Sequence, residues 1–261
     1  MSLTAEFLRS THQLRQVESE VRGTDTTPRI PAYPTLEDVL AKLKPLPKDG
    51  LFLGVASDGL PVLLNLSDPR PGALLLLGDS QTGKTDFLQG VACAASTTHT
   101  PNHLRFAVVT PHRQEWEARE GTPHCLGVWE ANDASLKDLL FDLSERVQFS
   151  GSQETLLLLV DDLQSLEDLD SETQENFQWL LANGASGRVW TIATLNADQA
   201  SSLPLWVRNF GTRIYGRIGD PSLADRLTSM PGANLRTLLS GAQFCIREKS
   251  HWLRFWLPLS K

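Results

Sequence analysis

The sequence predicts an α/β fold in three layers, with helices on both faces of a mostly parallel central sheet. From about residue 50 onward, apolar β-rich runs alternate with helical patterns, which is the order that right-handed crossover connections require. Residues 156–160 are apolar at every position, as expected for a strand buried on both faces in the middle of a parallel sheet. These two observations indicate the fold class before any motif is considered.

Composition is typical of one globular domain with an N-terminal extension. The chain has 261 residues, and 41% of them are hydrophobic, which is enough to bury a sizeable core. No apolar run approaches the length of a membrane span, and residues 1–10 lack the apolar core of a signal peptide, so we expect a cytoplasmic protein without membrane contact. The net charge of −7 does not favour a nucleic-acid-binding face, so DNA is a possible partner that charge does not support.

The first 49 residues are expected to precede the main domain. Apolar residues within 3–21 follow a 4-3-4-3 spacing in which Ser10 takes one position. This pattern predicts an amphipathic helix that packs either on its own domain or on a partner chain. Residues 22–35 contain three prolines and are expected to form a linker. A short helix is predicted at 36–44, with Thr35 as its N-cap. We therefore divide the chain into a helix (1–21), a linker with a short helix (22–49) and a domain (50–261).

The domain is expected to begin with a β-hairpin, because apolar runs at 51–55 and 60–64 flank a turn that contains Asp58-Gly59. The same reasoning gives the elements that follow. Strands are predicted at 73–77, 104–110, 125–129, 156–160, 188–195 and 212–218. Helices are predicted at 86–95, 135–147 and 172–185, with a helix-bearing connection at 197–210.

A closing hairpin is predicted from strands at 243–247 and 252–256. Its aromatic residues, Trp252, Phe255 and Trp256, lie near basic residues and could stack on the bases of a single-stranded nucleic acid. Strand alternation puts Trp252 and Trp256 on one face and Phe255 on the other. This arrangement favours an edge strand that is packed half into the core.

A glycine-rich segment between a predicted strand and a predicted helix carries the clearest chemistry. Two glycines with four residues between them precede Lys84 and Thr85, which is the spacing of a phosphate-binding loop. Glycine lets backbone N–H groups converge on phosphates at a helix N-terminus. Lys84 is expected to reach the β- and γ-phosphates, and the Thr85 hydroxyl to hold Mg²⁺. The residues expected to bind ATP are Gly78, Asp79, Ser80, Gln81, Thr82, Gly83, Lys84, Thr85 and Asp86.

Two acidic residues, Asp161 and Asp162, follow the apolar run 156–160. The carboxyl ends of parallel strands form the ligand-binding edge of such sheets. We expect Asp161 to orient the Mg²⁺ ligands, and Asp162 to orient or deprotonate the attacking water. The alternative is that both carboxylates cap the next helix. The six histidines and three cysteines show no metal-ligand spacing, so Mg²⁺ is the one metal expected.

From about residue 50 to its end, the chain resembles the FtsK/HerA-like branch of RecA-like P-loop ATPases. Residues 73–85 and 156–162 resemble its two Walker motifs, and the hairpin at 53–62 resembles its segment ahead of the phosphate loop. Residues 192–194, Ile-Ala-Thr, match its strand that ends in Ala-Thr-Gln. Residues 209–214 resemble its Asn-x-x-Thr-Arg-Ile stretch, and residues 238–244 resemble its Leu-Leu-Gly-x-Gly-Asp-x-Leu stretch.

The resemblance implies a RecA-like fold and Mg²⁺-dependent ATP hydrolysis at the interfaces of a ring, usually a hexamer, that moves DNA or another polymer. Arg213 would then reach a neighbour's γ-phosphate; the alternative is a surface ion pair. The implied catalytic residues are Asp162, Asp161, Lys84 and Arg213. Two departures weaken the implication of fast hydrolysis, because Asp162 replaces the family's Glu and Leu195 replaces its Gln, with Asn196 one place later.

Asp162 is shorter than the family's Glu by roughly one C–C bond length, so its carboxylate lies further from the attacking water. A misplacement on the order of 1 Å can lower the rate of hydrolysis about 10²-fold. The sequence is therefore compatible with two functions. The first is a ring-forming ATPase. The second is a nucleotide-gated interaction protein that hydrolyses ATP slowly or not at all and uses its occupancy to switch a partner surface. A small-molecule kinase is the least favoured class, since no stretch plainly supplies an acceptor pocket and an arginine-bearing lid.

Overall fold

The computed structural model describes residues 35–43, 45–149, 151 and 153–258. The predicted helix at 3–21 and nearly all of the linker lie outside these residues. The strands are β1 (Gly50–Ala56), β2 (Pro61–Asn65), β3 (Leu74–Gly78), β4 (Leu104–Val109), β5 (Cys125–Trp129), β6 (Thr155–Val160), β7 (Val189–Asn196), β8 (Thr212–Tyr215), β9 (Gln243–Glu248) and β10 (His251–Trp256). The α-helices are α1 (Leu36–Lys42), α2 (Lys84–Thr98), α3 (Glu117–Glu120), α4 (Ala134–Phe149), α5 (Ser171–Asn183), α6 (Pro204–Val207) and α7 (Pro221–Thr228).

All ten of these strands belong to one sheet, in the order β2-β1-β10-β9-β8-β3-β7-β6-β4-β5. The six strands from β8 to β5 are parallel to one another, and the four strands from β2 to β9 extend the sheet with antiparallel pairs. Strand β3 lies between β7 and β8, and β6 lies between β7 and β4. The predicted α/β class with a mostly parallel central sheet is confirmed.

Helices cover both faces of this sheet because the central strands are apolar on both sides. Leu74 and Leu76 of β3 belong to the core that packs against α2, and Leu75 and Leu77 belong to the core that packs against α4 and α5. Side chains alternate between the two faces of a strand, so the unbroken leucine run serves both cores. The three-layer arrangement follows from this alternation.

The short helix α1 packs on the domain. Thr35 caps it, since its hydroxyl oxygen accepts from the N–H of Asp38 at 3.2 Å and its own hydroxyl donates to the Asp38 carboxylate at 2.7 Å. Leu36 and Leu40 are buried in a small cluster with Phe52. The predicted helix and its N-cap are confirmed, and the division of the chain at residue 50 stays a prediction.

The closing hairpin forms as predicted, but the expectation that its last strand lies at an edge is wrong. Strand β10 lies between β9 and β1, and pairs with β1 through Val55–Trp256 and Ala56–Phe255. These partners are about 200 residues apart, so no local pattern reveals the pairing. Phe255 is fully buried. Trp252 packs edge-on against Tyr215 and donates its indole N–H to the Pro231 carbonyl at 3.1 Å, so it is part of the packed structure rather than an open stacking platform.

Two helices, α3 and α7, were not predicted. Both are short, with four and eight residues, and a pattern of that length gives little periodicity to detect. Across the described part of the chain, no helix combines the length and apolarity needed to cross a bilayer.

Candidate functional site

The loop between β3 and α2 adopts the conformation that its glycines predict. Gly83 caps α2 with φ +81°, in the left-handed region that glycine tolerates. A Cβ at this position would lie only 2.6 Å from the Cα of Gly241. The Thr82 hydroxyl closes the turn by donating to the Asp79 carbonyl at 2.7 Å. The loop is therefore tightly folded, with its backbone leading into the N-terminus of a fifteen-residue helix.

Two distant segments brace this loop. The Asp79 carboxylate accepts from the N–H of Gly219 at 2.7 Å. The N–H of Gly241 donates to the Thr82 carbonyl at 3.1 Å, and the Ser240 hydroxyl donates to the Gln81 carbonyl at 3.0 Å. The stretch at 238–244, noted only by resemblance in the sequence, is thus a direct neighbour of the loop.

Lys84 lies inside the loop rather than in solvent. Its ammonium donates to the Asp79 carbonyl and to the Asn196 side-chain oxygen, both at 2.8 Å. Burial lowers the pKa of Lys84, and the charges of Asp161, Asp162 and Asp79 act against that shift. A cation held at this point by neutral carbonyl oxygens is placed to transfer to stronger acceptors such as phosphate oxygens.

Asp161 is the buried acid of the site. Its side chain is 5% exposed, and Oδ1 accepts from the Thr194 hydroxyl at 2.9 Å. Burial raises the pKa of Asp161, while the nearby Thr85 hydroxyl, Thr194 hydroxyl and Trp116 indole act in the opposite direction. Within the described residues, Oδ2 has no hydrogen-bond partner.

This arrangement fits Mg²⁺. An unpartnered carboxylate oxygen beside the Thr85 hydroxyl offers the oxygen ligands that Mg²⁺ prefers. No group of three or more His, Cys, Asp or Glu side chains in the described residues could hold a metal ion. A cation here would therefore need further oxygens, and the phosphates of a nucleotide together with water supply them.

Asp162 is half-buried and caps the 3₁₀-helix Leu163–Leu166. Its Oδ1 accepts from the N–H of Ser165 at 3.2 Å. The peptide bond between Asp161 and Asp162 is cis. The capping alternative therefore describes the hydrogen bonding of Asp162 but not that of Asp161, and a catalytic role for Asp162 stays a prediction.

Asn196 is a site residue that the sequence did not assign. The parallel register of β3 and β7 pairs it with Gly78 at the start of the loop, and its side chain contacts Lys84. Leu195, which occupies the family's polar position, is fully buried in the core. Side chains two positions apart on a strand point to the same face. Thr194 bonds to Asp161, so Asn196, two positions later, is the next side chain of β7 on that face.

Arg213 is the one predicted catalytic residue that the structure does not bring to the loop. It pairs with Leu75, three residues before Gly78, so it lies about 10 Å along the sheet from the ligand-binding edge. It lies beside Tyr215, whose pKa is raised by burial, with Arg213 acting against that shift. In the described part of the chain it makes no ion pair with a carboxylate. The other predicted catalytic residues, Lys84, Asp161 and Asp162, do converge.

Comparison with known proteins supports the resemblance seen in the sequence. Residues 51–147 match the model of the FtsK/SpoIIIE family. No curated protein gives a significant sequence match.

Among solved structures, ATPases 2 and 3 of Thermomonospora curvata EccC, in complex with a signal sequence peptide, are 14% identical, with a TM-score of 0.66 over 93% of this chain and 46% of that chain. ATPases 2 and 3 of Geobacillus thermodenitrificans EssC are 12% identical, with a TM-score of 0.68 over 83% of this chain and 48% of that chain. The pCW3 conjugation coupling protein TcpA, with ATPγS, is 16% identical, with a TM-score of 0.62 over 87% of this chain and 70% of that chain.

At these identities the structural likeness establishes the fold. The chain spans less than half the length of the EccC and EssC chains. The resemblance to FtsK/HerA-like P-loop ATPases is thereby confirmed: the family model covers the hairpin, the phosphate loop and the elements through most of α4, and the fold is that of RecA-like P-loop ATPases.

Proposed function

We propose that this chain binds Mg²⁺-ATP on residues 78–86 and hydrolyses it as a subunit of an oligomeric FtsK/HerA-type ATPase. The observation that carries the proposal is the convergence of three groups at one sheet edge. The Lys84 ammonium, the Thr85 hydroxyl and the unpartnered oxygen of Asp161 come from the loop and from the end of β6. A cation, a hydroxyl and a free carboxylate oxygen are what a Mg²⁺-triphosphate requires.

Each residue has a separate role in this proposal. Lys84 would exchange its carbonyl contacts for oxygens of the β- and γ-phosphates. Thr85 and Asp161 would hold Mg²⁺, which offsets phosphate charge when bound. Asn196 would keep Lys84 aligned as it does now, at 2.8 Å. Asp162 would orient the attacking water, because its carboxylate follows Asp161 at the same edge.

A second copy of the chain would complete the site. Arg213 is displaced from the loop of its own chain, so it could meet a γ-phosphate only on a neighbour. We therefore propose a homo-oligomer, which a hexameric ring would satisfy, in the cytoplasm. A partner protein would dock through the predicted helix at residues 3–21.

The polymer on which such an assembly acts is a separate proposal. One similar structure is an EccC fragment bound to a signal sequence peptide, and another is a conjugation coupling protein. The net charge of −7 does not support a nucleic-acid substrate, so we propose a peptide or protein ahead of DNA.

The nucleotide-gated switch is the second candidate, and the capping contact of Asp162 favours it. A carboxylate that is shorter than Glu and bonded to the N–H of Ser165 at 3.2 Å is less free to orient water. Such a protein would bind ATP as tightly as the ATPase and turn it over slowly.

The test begins with Lys84→Ala, and Lys137→Ala serves as the matched control, since Lys137 is an exposed lysine paired with Glu172 on the surface. Calorimetric titration with Mg²⁺-ATP should show binding to wild type and to Lys137→Ala, and little or none to Lys84→Ala, because an ammonium–triphosphate contact is lost from a loop that stays folded. Equal affinity in all three proteins would refute nucleotide binding by this loop.

Phosphate release then separates the two candidates. If neighbours complete the site, activity per chain should rise with protein concentration. Arg213→Ala should leave ATP binding nearly unchanged and lower kcat on the order of 10³-fold. Mixing Arg213→Ala with Lys84→Ala chains should restore activity at interfaces that combine an intact loop with an intact arginine. Concentration-independent turnover without rescue would instead support the switch.

A further inference from the structure

A second cavity of about 550 Å³ lies on the sheet away from the phosphate loop, a size within the range of small-ligand sites. It opens between β8, β9 and β10, the end of α7, and the turn that precedes β3. Four cationic side chains line it, and none of the lining residues is acidic. The cationic residues are Arg70, Arg213, Arg247 and Lys249. The lining of the cavity is therefore positively charged, whereas the chain as a whole has a net charge of −7.

The sheet register forces two of these charges together. Ile214 of β8 pairs with Ile246 of β9, so the same antiparallel register places Arg213 across from Arg247. Trp252 of β10 pairs with Arg247 on its other side and closes the cavity against Tyr215, with ring centroids 5.9 Å apart. Like charges directly opposite each other on a sheet face are destabilising, so the arrangement has a cost that an anion would offset.

Three of the four cations have no carboxylate partner within the described residues. Arg213, Arg247 and Lys249 make no ion pair with a carboxylate there. Arg247 donates its Nε–H to the Lys249 carbonyl at 2.9 Å, and the same side chain lines the cavity. Arg70 is paired with Asp68 at 2.6 Å.

We propose that this cavity binds the phosphate groups of a polyphosphate, with Arg213 and Arg247 as the principal ligands. Guanidinium groups match phosphate oxygens through paired N–H donors and retain their charge at all physiological pH values. Two adjacent arginines suit two adjacent phosphoryl groups better than one carboxylate. The ligand of this cavity is a polyphosphate that is free in solution, so the proposal does not depend on the function proposed above.

Binding of a free polyphosphate is tested in the Lys84→Ala chain, whose phosphate loop lacks its lysine. Calorimetric titration with inorganic pyrophosphate should give saturable binding of one ion per chain. Adding Arg247→Ala should weaken that binding about tenfold or more, since a hydrogen-bonded charge pair is lost. Arg247→Lys should fall between the two, because lysine keeps the charge but not the paired donors. Arg226→Ala is the control, since Arg226 is an exposed cation on α7 outside the cavity.

Two results would overturn the proposal. The first is the absence of saturable pyrophosphate binding to the Lys84→Ala chain, and the second is binding that Arg247→Ala leaves unchanged. Because this titration uses no ATP, its outcome is separate from that of the proposed function.

Discussion

Replacing Asp161 by asparagine should make the nucleotide-free protein more stable and its nucleotide binding less responsive to Mg²⁺. Asp161 is 5% exposed, and burial raises its pKa. Asparagine has nearly the same shape and keeps an oxygen to accept from Thr194, which lies 2.9 Å from Oδ1. The substitution therefore removes a buried negative charge without opening a cavity.

The stability gain comes from removing a buried charge, because the amide of asparagine still places a polar atom where Oδ2 has no hydrogen-bond partner. Burying a poorly compensated charge costs about 1–3 kcal/mol or more, and each unit of pKa shift corresponds to about 1.4 kcal/mol. Asp161 also attracts the Lys84 ammonium, and losing that attraction puts the net gain at the lower end, about 1 kcal/mol. For a chain of this size, such a gain raises the unfolding temperature by about 2–4 °C.

The stability difference between Asp161→Asn and the wild-type protein should depend on pH. Because the folded pKa of Asp161 lies above its unfolded value of about 3.9, its contribution to stability is fully present below that value and is lost as pH rises through the folded pKa. The asparagine side chain of the variant does not titrate. The stability advantage of Asp161→Asn should thus be present at about pH 7.5 and shrink as the pH falls toward 4.

The assay is thermal unfolding without Mg²⁺ or nucleotide, at about pH 7.5 and about pH 4.5, together with ATP titrations with and without Mg²⁺. Asp142→Asn, an exposed aspartate on α4, is the control for loss of one negative charge. A lower unfolding temperature in nucleotide-free Asp161→Asn, or an undiminished effect of Mg²⁺ on its ATP affinity, would refute the assignment of Asp161.

Three further substitutions test the surroundings of the loop. Thr194→Val should leave the fold intact but weaken Mg²⁺-dependent ATP binding about tenfold, since Asp161 loses a hydrogen bond of 2.9 Å; a Mg²⁺ titration that matches wild type would contradict this. Asp162→Asn should keep its capping role, because the two residues cap equally well, and lower the rate of phosphate release while ATP affinity stays unchanged; a wild-type rate would leave Asp162 as a cap alone. Gly83→Ala should reduce ATP affinity and lower the unfolding temperature, since its Cβ would lie 2.6 Å from Gly241 in a left-handed backbone; Gly59→Ala, at φ +82° with no neighbour within 4 Å, is the control, and equal losses would indicate that only the backbone matters.

The site depends on both local sequence and long-range register. The spacing of the glycines before Lys84 and Thr85 is a local signal, because loop geometry and helix start are set within eight residues. The apolar run of β6 likewise indicates where Asp161 stands, since a parallel sheet aligns the carboxyl ends of its strands. These features could be predicted from the sequence because each depends on neighbours along the chain.

Other features depend on contacts between residues far apart in the sequence. Asn196 contacts Lys84 only because β7 pairs with β3. Strand β10 lies inside the sheet rather than at its edge only because it pairs with β1, which is about 200 residues earlier in the chain. The separation of Arg213 from the loop, and its position across from Arg247, likewise follow from strand register. Side-chain period in a strand is two, so an undetermined register leaves the facing partner undetermined. Local patterns along the chain are therefore sufficient to predict the fold class and the phosphate loop, whereas long-range strand pairing establishes which polar residues contact Lys84 and which cations line the second cavity.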